Sequence, residues 1–215
     1  MKKFLIFSSC EYSLKNKGDQ AMLEGLTLWI KSTFPSSHLT VYEMTKNSLS
    51  LIEGTRNFPS PEQYMLGIPN QHHGSSLQTF IARIRTIIRG LIFIFRFFSY
   101  KLIGIRLQKK SQITGFFHQI LEADALIFSG GGYINGLWWS DGYYAKTFAA
   151  LAARLAGVPV ILTSQGLGPF KHPIDRFVAR LLFSCCSLIG VRDGKFSKET
   201  VNSISPRNTQ KVINT

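Results

Sequence analysis

Aspartate and glutamate are missing from Gln63 to Leu121, and that gap is the most uneven feature of this 215-residue chain. The same stretch holds Arg83, Arg85, Arg89, Arg96, Lys101, Arg106, Lys109 and Lys110, eight of the cations behind a net charge of +13. A block of one sign speaks about partners rather than fold: a polyanion, an acidic glycan or an anionic surface. Cysteine is scarce. Cys10, Cys185 and Cys186 form no CxxC pair and no metal-ligand spacing, which excludes a disulfide scaffold and a structural zinc site and fits a reducing, cytoplasmic location. His72, His73 and His118 have no partners at metal or triad spacing. No metal and no cofactor is expected. A nucleophile elbow is lacking, as is the Gly-Lys-Ser/Thr of a phosphate loop. Gly130-Gly-Gly-Tyr-Ile-Asn-Gly136 lacks the third glycine of a dinucleotide fingerprint, so NAD and ATP are disfavoured. A membrane-spanning run is also absent, because Arg89, Arg96 and Lys101 interrupt every ~20-residue apolar window. Met1 to Phe7 is too short in apolar residues for a signal peptide.

What is present is an alternation of strand and helix patterns. Lys3 to Ser8 is a short buried strand, Asp19 caps a helix to about Thr33, and Leu39 to Glu43 is a second strand. On that helix, Met22, Leu23, Leu26, Trp29 and Ile30 form the inner face. This βαβ unit predicts a parallel α/β sheet. Thr45 to Ser76 has little periodicity and is expected to be a long loop. After the basic block, Ala125 to Ser129 is a strand, Asp141 to Ala156 an Ala-rich helix, and Pro159 to Ser164 a strand. Pro173 opens a helix, Leu188 to Val191 is a strand, a helix runs from Lys195 to about Asn202, and Lys211 to Ile213 starts another strand.

Within the basic block, Leu77, Ile81, Ile84, Ile88, Leu91, Phe95, Phe98, Leu102 and Ile105 recur every three or four residues, one stripe of a helix. Burial of that stripe against its own or a partner domain is the first expectation. An interfacial helix with arginines at the headgroups, giving a peripheral contact at the inner face of a membrane through Leu77–Ile105, is the second. Nucleic acid is not expected, since Ile and Phe, not a reading motif, separate the cations.

Turns that follow strands converge on one edge of an open parallel sheet, where ligands bind. Four features occupy that position: Asn16-Lys-Gly18-Asp19, Gly130-Gly131-Gly132, Gln165-Gly166-Leu-Gly168-Pro169 and Arg192-Asp193. Asp19 is a helix cap, a ligand of sugar hydroxyls or a general base. Gly130, Gly131 and Gly132 either form a sharp turn or let a ligand approach backbone N–H groups. The Gln165 amide either forks onto a hydroxyl pair or satisfies its own turn. Arg192 is the anion candidate, unless Asp193 or another acid in the fold neutralises it. Trp138, Trp139, Tyr143 and Tyr144 either stack on sugar rings or cover the sheet.

Taken in order, Asn16 to Leu23, Ala123 to Gly132, Gly157 to Pro169 and Leu188 to Asp193 resemble the polysaccharide pyruvyl transferase family. The resemblance implies a Rossmann-like N-terminal domain of a GT-B-like two-domain fold, with the cleft between domains. It implies transfer of the enolpyruvyl group of phosphoenolpyruvate to a sugar of a cell-surface polysaccharide or its precursor, often lipid-linked. Residues 1–215 would then be the first domain, with a loop and helix insertion at about 45–112. The C-terminal domain, with the basic residues that act on phosphoenolpyruvate, would be absent, and the isolated chain would have little activity. Two rivals stay open: a nucleotide-sugar glycosyltransferase of GT-B type, and a non-catalytic sugar-binding or membrane-associated assembly subunit.

Overall fold

Short apolar runs separated by amphipathic helices must stack as layers. The computed structural model shows such layers over residues 1–8, 17–43, 54–59, 76–103, 112–137 and 142–215. Strands β1 (Lys3–Phe7), β2 (His38–Glu43), β3 (Thr55–Pro59), β4 (Ala125–Phe128), β5 (Gly131–Ile134), β6 (Val160–Leu167), β7 (Leu188–Val191) and β8 (Val212–Asn214) form one sheet. Every pairing is parallel, in the order β3-β2-β1-β4-β6-β7-β8, and β5 pairs with β6 past the end of β4. The helices are α1 (Lys17–Thr33), α2 (Ser76–Ile103), α3 (Gln112–Glu122), α4 (Tyr144–Ala156), α5 (Pro173–Cys185) and α6 (Phe196–Ile204).

Strand β1 is central because both its faces are apolar. Ile6 joins Leu23 and Ile30 of α1 with Leu39, Val41 and Ile127. Leu5 and Phe7 face the larger cluster, with Phe116, Phe117 and Ile120 of α3 and the alanines of α4. A strand buried on two sides is a continuous apolar run, as Phe4-Leu-Ile-Phe7 is. The start of β1 is fastened to the start of β4. The Lys3 N–H donates to Asp124 at 2.8 Å across 121 residues, and the Lys2 ammonium donates to the other carboxylate oxygen at 2.9 Å. Ala145, Ala149, Ala150, Ala152 and Ala153 of α4 are fully buried, so its small side chains pack on both sides. Gly157 ends α4 in the left-handed conformation at φ 84°, which a residue without Cβ adopts freely.

Three expectations are corrected. First, the apolar stripe of α2 is not the face it packs on its own domain. Thr86, Gly90, Phe93, Phe97 and Tyr100 are buried, whereas Leu77, Ile81, Ile84, Ile88, Leu91, Phe95, Phe98 and Leu102 are 38–72% exposed. The helix is apolar around most of its circumference, so periodicity alone could not choose a side. Gly90 chose it: the backbone there lies so close to the Phe148 ring that a Cβ has no room. Ile105 lies outside the described residues. Second, the presumed loop contains β3, an edge strand parallel to β2, with Pro59 at its end where a missing N–H is tolerated. The rest of that loop, His72 and His73 included, lies outside the described residues. Third, α1 begins at Lys17, so Asp19 sits within its first turn, and Trp29 is exposed while Thr27 is buried in its place. Among the described residues, no helix is long and apolar enough to cross a membrane.

Candidate functional site

Strand order locates the cleft. The chain leaves β1 for β2 on one side and returns to β4 on the other, so a crevice opens at the carboxyl ends of β1 and β4. The described chain resumes beyond β1 at Lys17, and Gly18 is exposed at the start of α1, with Asp19 beside it. Asn16 lies outside the described residues.

Beyond β4 the sheet is interrupted. Strand β4 stops at Phe128 opposite Leu162, and β5 resumes at Gly131 opposite Gln165 on the same side of β6. On its other side β6 slips register against β7 between Leu162 and Gln165. Ser164 takes up the slip in the left-handed region, φ 45°, with its hydroxyl 3.0 Å from that of Thr215. The interruption brings Gly130 under α1: a Cβ there would lie 2.8 Å from Met22 Sδ and 3.2 Å from the Ser164 carbonyl oxygen. Met22 is one turn along α1 from Asp19 and shares its face.

Arg192 closes the arrangement. A Cβ on Gly166 would sit 3.5 Å from Arg192 Nη2 and 3.7 Å from the Gly132 backbone, so guanidinium and both glycine turns meet at one point. Arg192 is exposed and makes no ion pair among the described residues. Asp193, its expected neutraliser, instead accepts from the Ser197 N–H at 2.8 Å and its hydroxyl at 2.5 Å. The Ser197 hydroxyl chiefly holds Asp193 below the usual carboxylate range. The Asp19 carboxyl shifts in the opposite direction: partial burial pushes it up, and the Arg192 guanidinium pulls it partly back.

Asp19, Gly130, Gly131, Gly132, Gly166 and Arg192 are thus brought together. Gln165 lies beneath them, fully buried. Its amide nitrogen donates to the Ser129 carbonyl at 2.5 Å and the Thr163 carbonyl at 3.1 Å, spanning the break between β4 and β5. It satisfies the turn rather than presenting an amide to solvent. Gly168, at φ 80° before the cis bond to Pro169, packs toward Thr200 and Phe170, away from the crevice. Tyr143 and Tyr144 are fully buried, with their hydroxyls on Asp175, so they cover the sheet. Trp138 and Trp139 lie outside the described residues.

Lys146 escaped the sequence reading. It is buried in the first turn of α4, its ammonium 4.7 Å from the centre of the Tyr133 ring, and Tyr133 donates to the Ser129 carbonyl at 2.9 Å. A cation therefore stands behind the glycine turn. The available signal was a lysine within the otherwise apolar Tyr-Tyr-Ala-Lys-Thr-Phe-Ala run.

The raised Asp19 carboxyl has a testable sign. Below its ordinary value of 3.8 it is neutral in both folded and unfolded chains. As pH climbs through the higher folded value, the unfolded chain ionises more readily and the folded state loses stability. Asp19→Asn is therefore expected to melt higher than the parent at pH 7, with the gap closing at about pH 3. A parent that melts higher than the variant at neutral pH would refute the assignment.

No curated protein matches the chain. The family model described as polysaccharide pyruvyl transferase matches residues 16–212, nearly the whole chain and all four turns of the crevice. The chain belongs to the polysaccharide pyruvyl transferase family.

Proposed function

We propose that the donor is phosphoenolpyruvate and the acceptor a sugar of a cell-surface polysaccharide or its lipid-linked precursor. We further propose that residues 1–215 act as the sugar-side domain of a GT-B-like pair, with 45–112 as an insertion. The observation that carries this reading is Asp19 within electrostatic reach of the exposed Arg192, which makes no ion pair among the described residues, beside the glycine turns.

The chemistry needs both groups. Two sugar hydroxyls and phosphoenolpyruvate give a pyruvate ketal and phosphate. One hydroxyl oxygen bonds to C2 while C3 gains a proton and becomes a methyl group. The second displaces phosphate, and its own proton leaves with that group. A carboxylate held above its usual range is suited to receive a hydroxyl proton, because proton transfer is most efficient when the pKa approaches the working pH. A guanidinium offers two parallel N–H donors to a carboxylate or phosphate. Asp19 would repel an anion placed directly on the α1 N-terminus, which assigns the acceptor to Asp19 and the anionic carbon skeleton to Arg192.

Saturation-transfer NMR with a panel of hexopyranosides tests the reading. The chain is expected to bind a saccharide, Asp19→Ala to weaken that binding at least tenfold, and the chain alone to release phosphate from phosphoenolpyruvate only at background rate. Thermal stabilisation by nucleotide sugars, with no response to saccharides, would favour a glycosyltransferase instead.

A further inference from the structure

The outer face of α2 has no place in the crevice chemistry. Leu77, Phe80, Ile81, Ile84, Ile88 and Leu91, continued by Ile92, Phe95, Phe98, Leu102 and Ile103, are all exposed along one side of a 28-residue helix. The helix is anchored from behind: Gly90 against Phe148, and Arg83 on Asp175 at 3.0 and 3.2 Å. It therefore presents its most apolar side outward, over roughly 40 Å at 1.5 Å per residue. Monomeric soluble domains rarely leave such a continuous strip bare.

The charges identify the occupant. At 100° per residue, Arg85, Arg89 and Arg96 form a row along one border of the strip. Arg85 and Arg96 are exposed and carry no ion pair among the described residues. Neither the helix nor the sequence from Gln63 to Leu121 contains an acid. A second copy docking on this face would bring no acidic residue of its own α2 to the arginine row. An anionic bilayer surface supplies both demands, acyl chains for Phe and Leu and phosphates for arginine, as interfacial helices require. We propose that α2 is a peripheral membrane-docking helix, seated on anionic lipid by its Leu77–Leu102 strip with Arg85, Arg89 and Arg96 at the headgroups. The proposal is independent of the group the crevice transfers.

Co-sedimentation with phosphatidylcholine vesicles, with and without phosphatidylglycerol, tests it on the full chain. Binding is expected to the anionic vesicles, weaker to the neutral ones and weakened by salt. Arg85→Gln with Arg96→Gln should reduce binding to anionic vesicles by on the order of thirtyfold, at about fivefold per charge. Phe95→Asp should reduce binding to both vesicle types more than tenfold, and neither variant should move the melting temperature, since all three side chains are exposed. Failure to bind anionic vesicles would overturn the proposal. So would a lipid-free dimer, seen by sedimentation equilibrium, that Phe95→Asp dissociates. Saccharide binding unchanged in these variants separates this test from that of the crevice.

Discussion

Asp175→Ala is expected to be the most destabilising single substitution among the polar residues of this protein. The Asp175 carboxylate takes both arms of the Arg83 guanidinium at 3.0 and 3.2 Å and the Tyr144 hydroxyl at 2.6 Å, while its backbone carbonyl takes the Tyr143 hydroxyl at 2.9 Å. Both ion-pair partners are nearly buried, with side chains 11% and 2% exposed. Removing one member strands a cation away from water, a loss of about 3–5 kcal/mol. At roughly 2–4 °C per kcal/mol for a chain of this size, the melting temperature should fall by about 6–20 °C. Arg83→Met should cost comparably, since it strands the carboxylate. The double variant Arg83→Met, Asp175→Ala should cost clearly less than the sum, because two residues in contact do not act independently. Strict additivity in calorimetry would show that the pair is not coupled. The same contact, together with Gly90 against Phe148, holds α2 with its apolar strip outward. Arg83, counted from sequence among a partner-seeking basic block, is committed 92 residues away to the first turn of α5.

Gly130→Val is expected to abolish ligand binding in the crevice while leaving a folded protein. The first added carbon meets Met22 Sδ at 2.8 Å and Ser164 Cβ at 3.1 Å, and valine places two further methyls in the same gap. Overpacking of this kind costs about 1–3 kcal/mol, tolerable for a fold of this size. The function suffers more, because the wedge drives α1, with Asp19, away from Arg192, and a misplacement of about 1 Å lowers a positioned reaction ~10²-fold. Saccharide titration by NMR against the parent reads the loss. Gly130→Ala with Met22→Ala should restore much of the binding, since the thioether that obstructs the new methyl is then gone. Unimpaired binding by Gly130→Val would show that the crevice does not depend on this close approach.

Much of the fold was legible because each strand is short, apolar and bounded by turn chemistry. Phe4 to Phe7, Ala125 to Phe128 and Leu188 to Val191 all fell where expected. Misreadings have definite causes. Strand β3 sits at the edge, where burial on two faces is not required, so Thr-Arg-Asn-Phe-Pro carries no apolar run. The packed side of α2 was hidden because a glycine contact, not the densest apolar stripe, decided it. In the crevice, Asp19, Gly130 and Arg192 could be named from topology, since turns after parallel strands share an edge. Gln165 was ambiguous for a different reason: whether an amide faces a ligand or a neighbouring carbonyl depends on the break at Ser129, which no local pattern records. Lys146 was overlooked because a lysine in a helix is usually solvated.

The parallel pairing of β1 with β4 also sets an order in time. Phe4 to Phe7 finds its second neighbour only in Ala125 to Phe128, while its first, β2, follows one helix later. A chain growing from its N-terminus can assemble β1, β2 and β3 early, but it must keep one side of β1 unpaired until the whole basic segment has emerged. Contacts so distant in sequence form slowly, and an open strand edge invites foreign pairing. The long apolar α2 is synthesised within that interval, before the α4 surface that holds it exists. For a ribosome-bound chain, the apolar length of α2 is thus open to any partner before its own domain is complete.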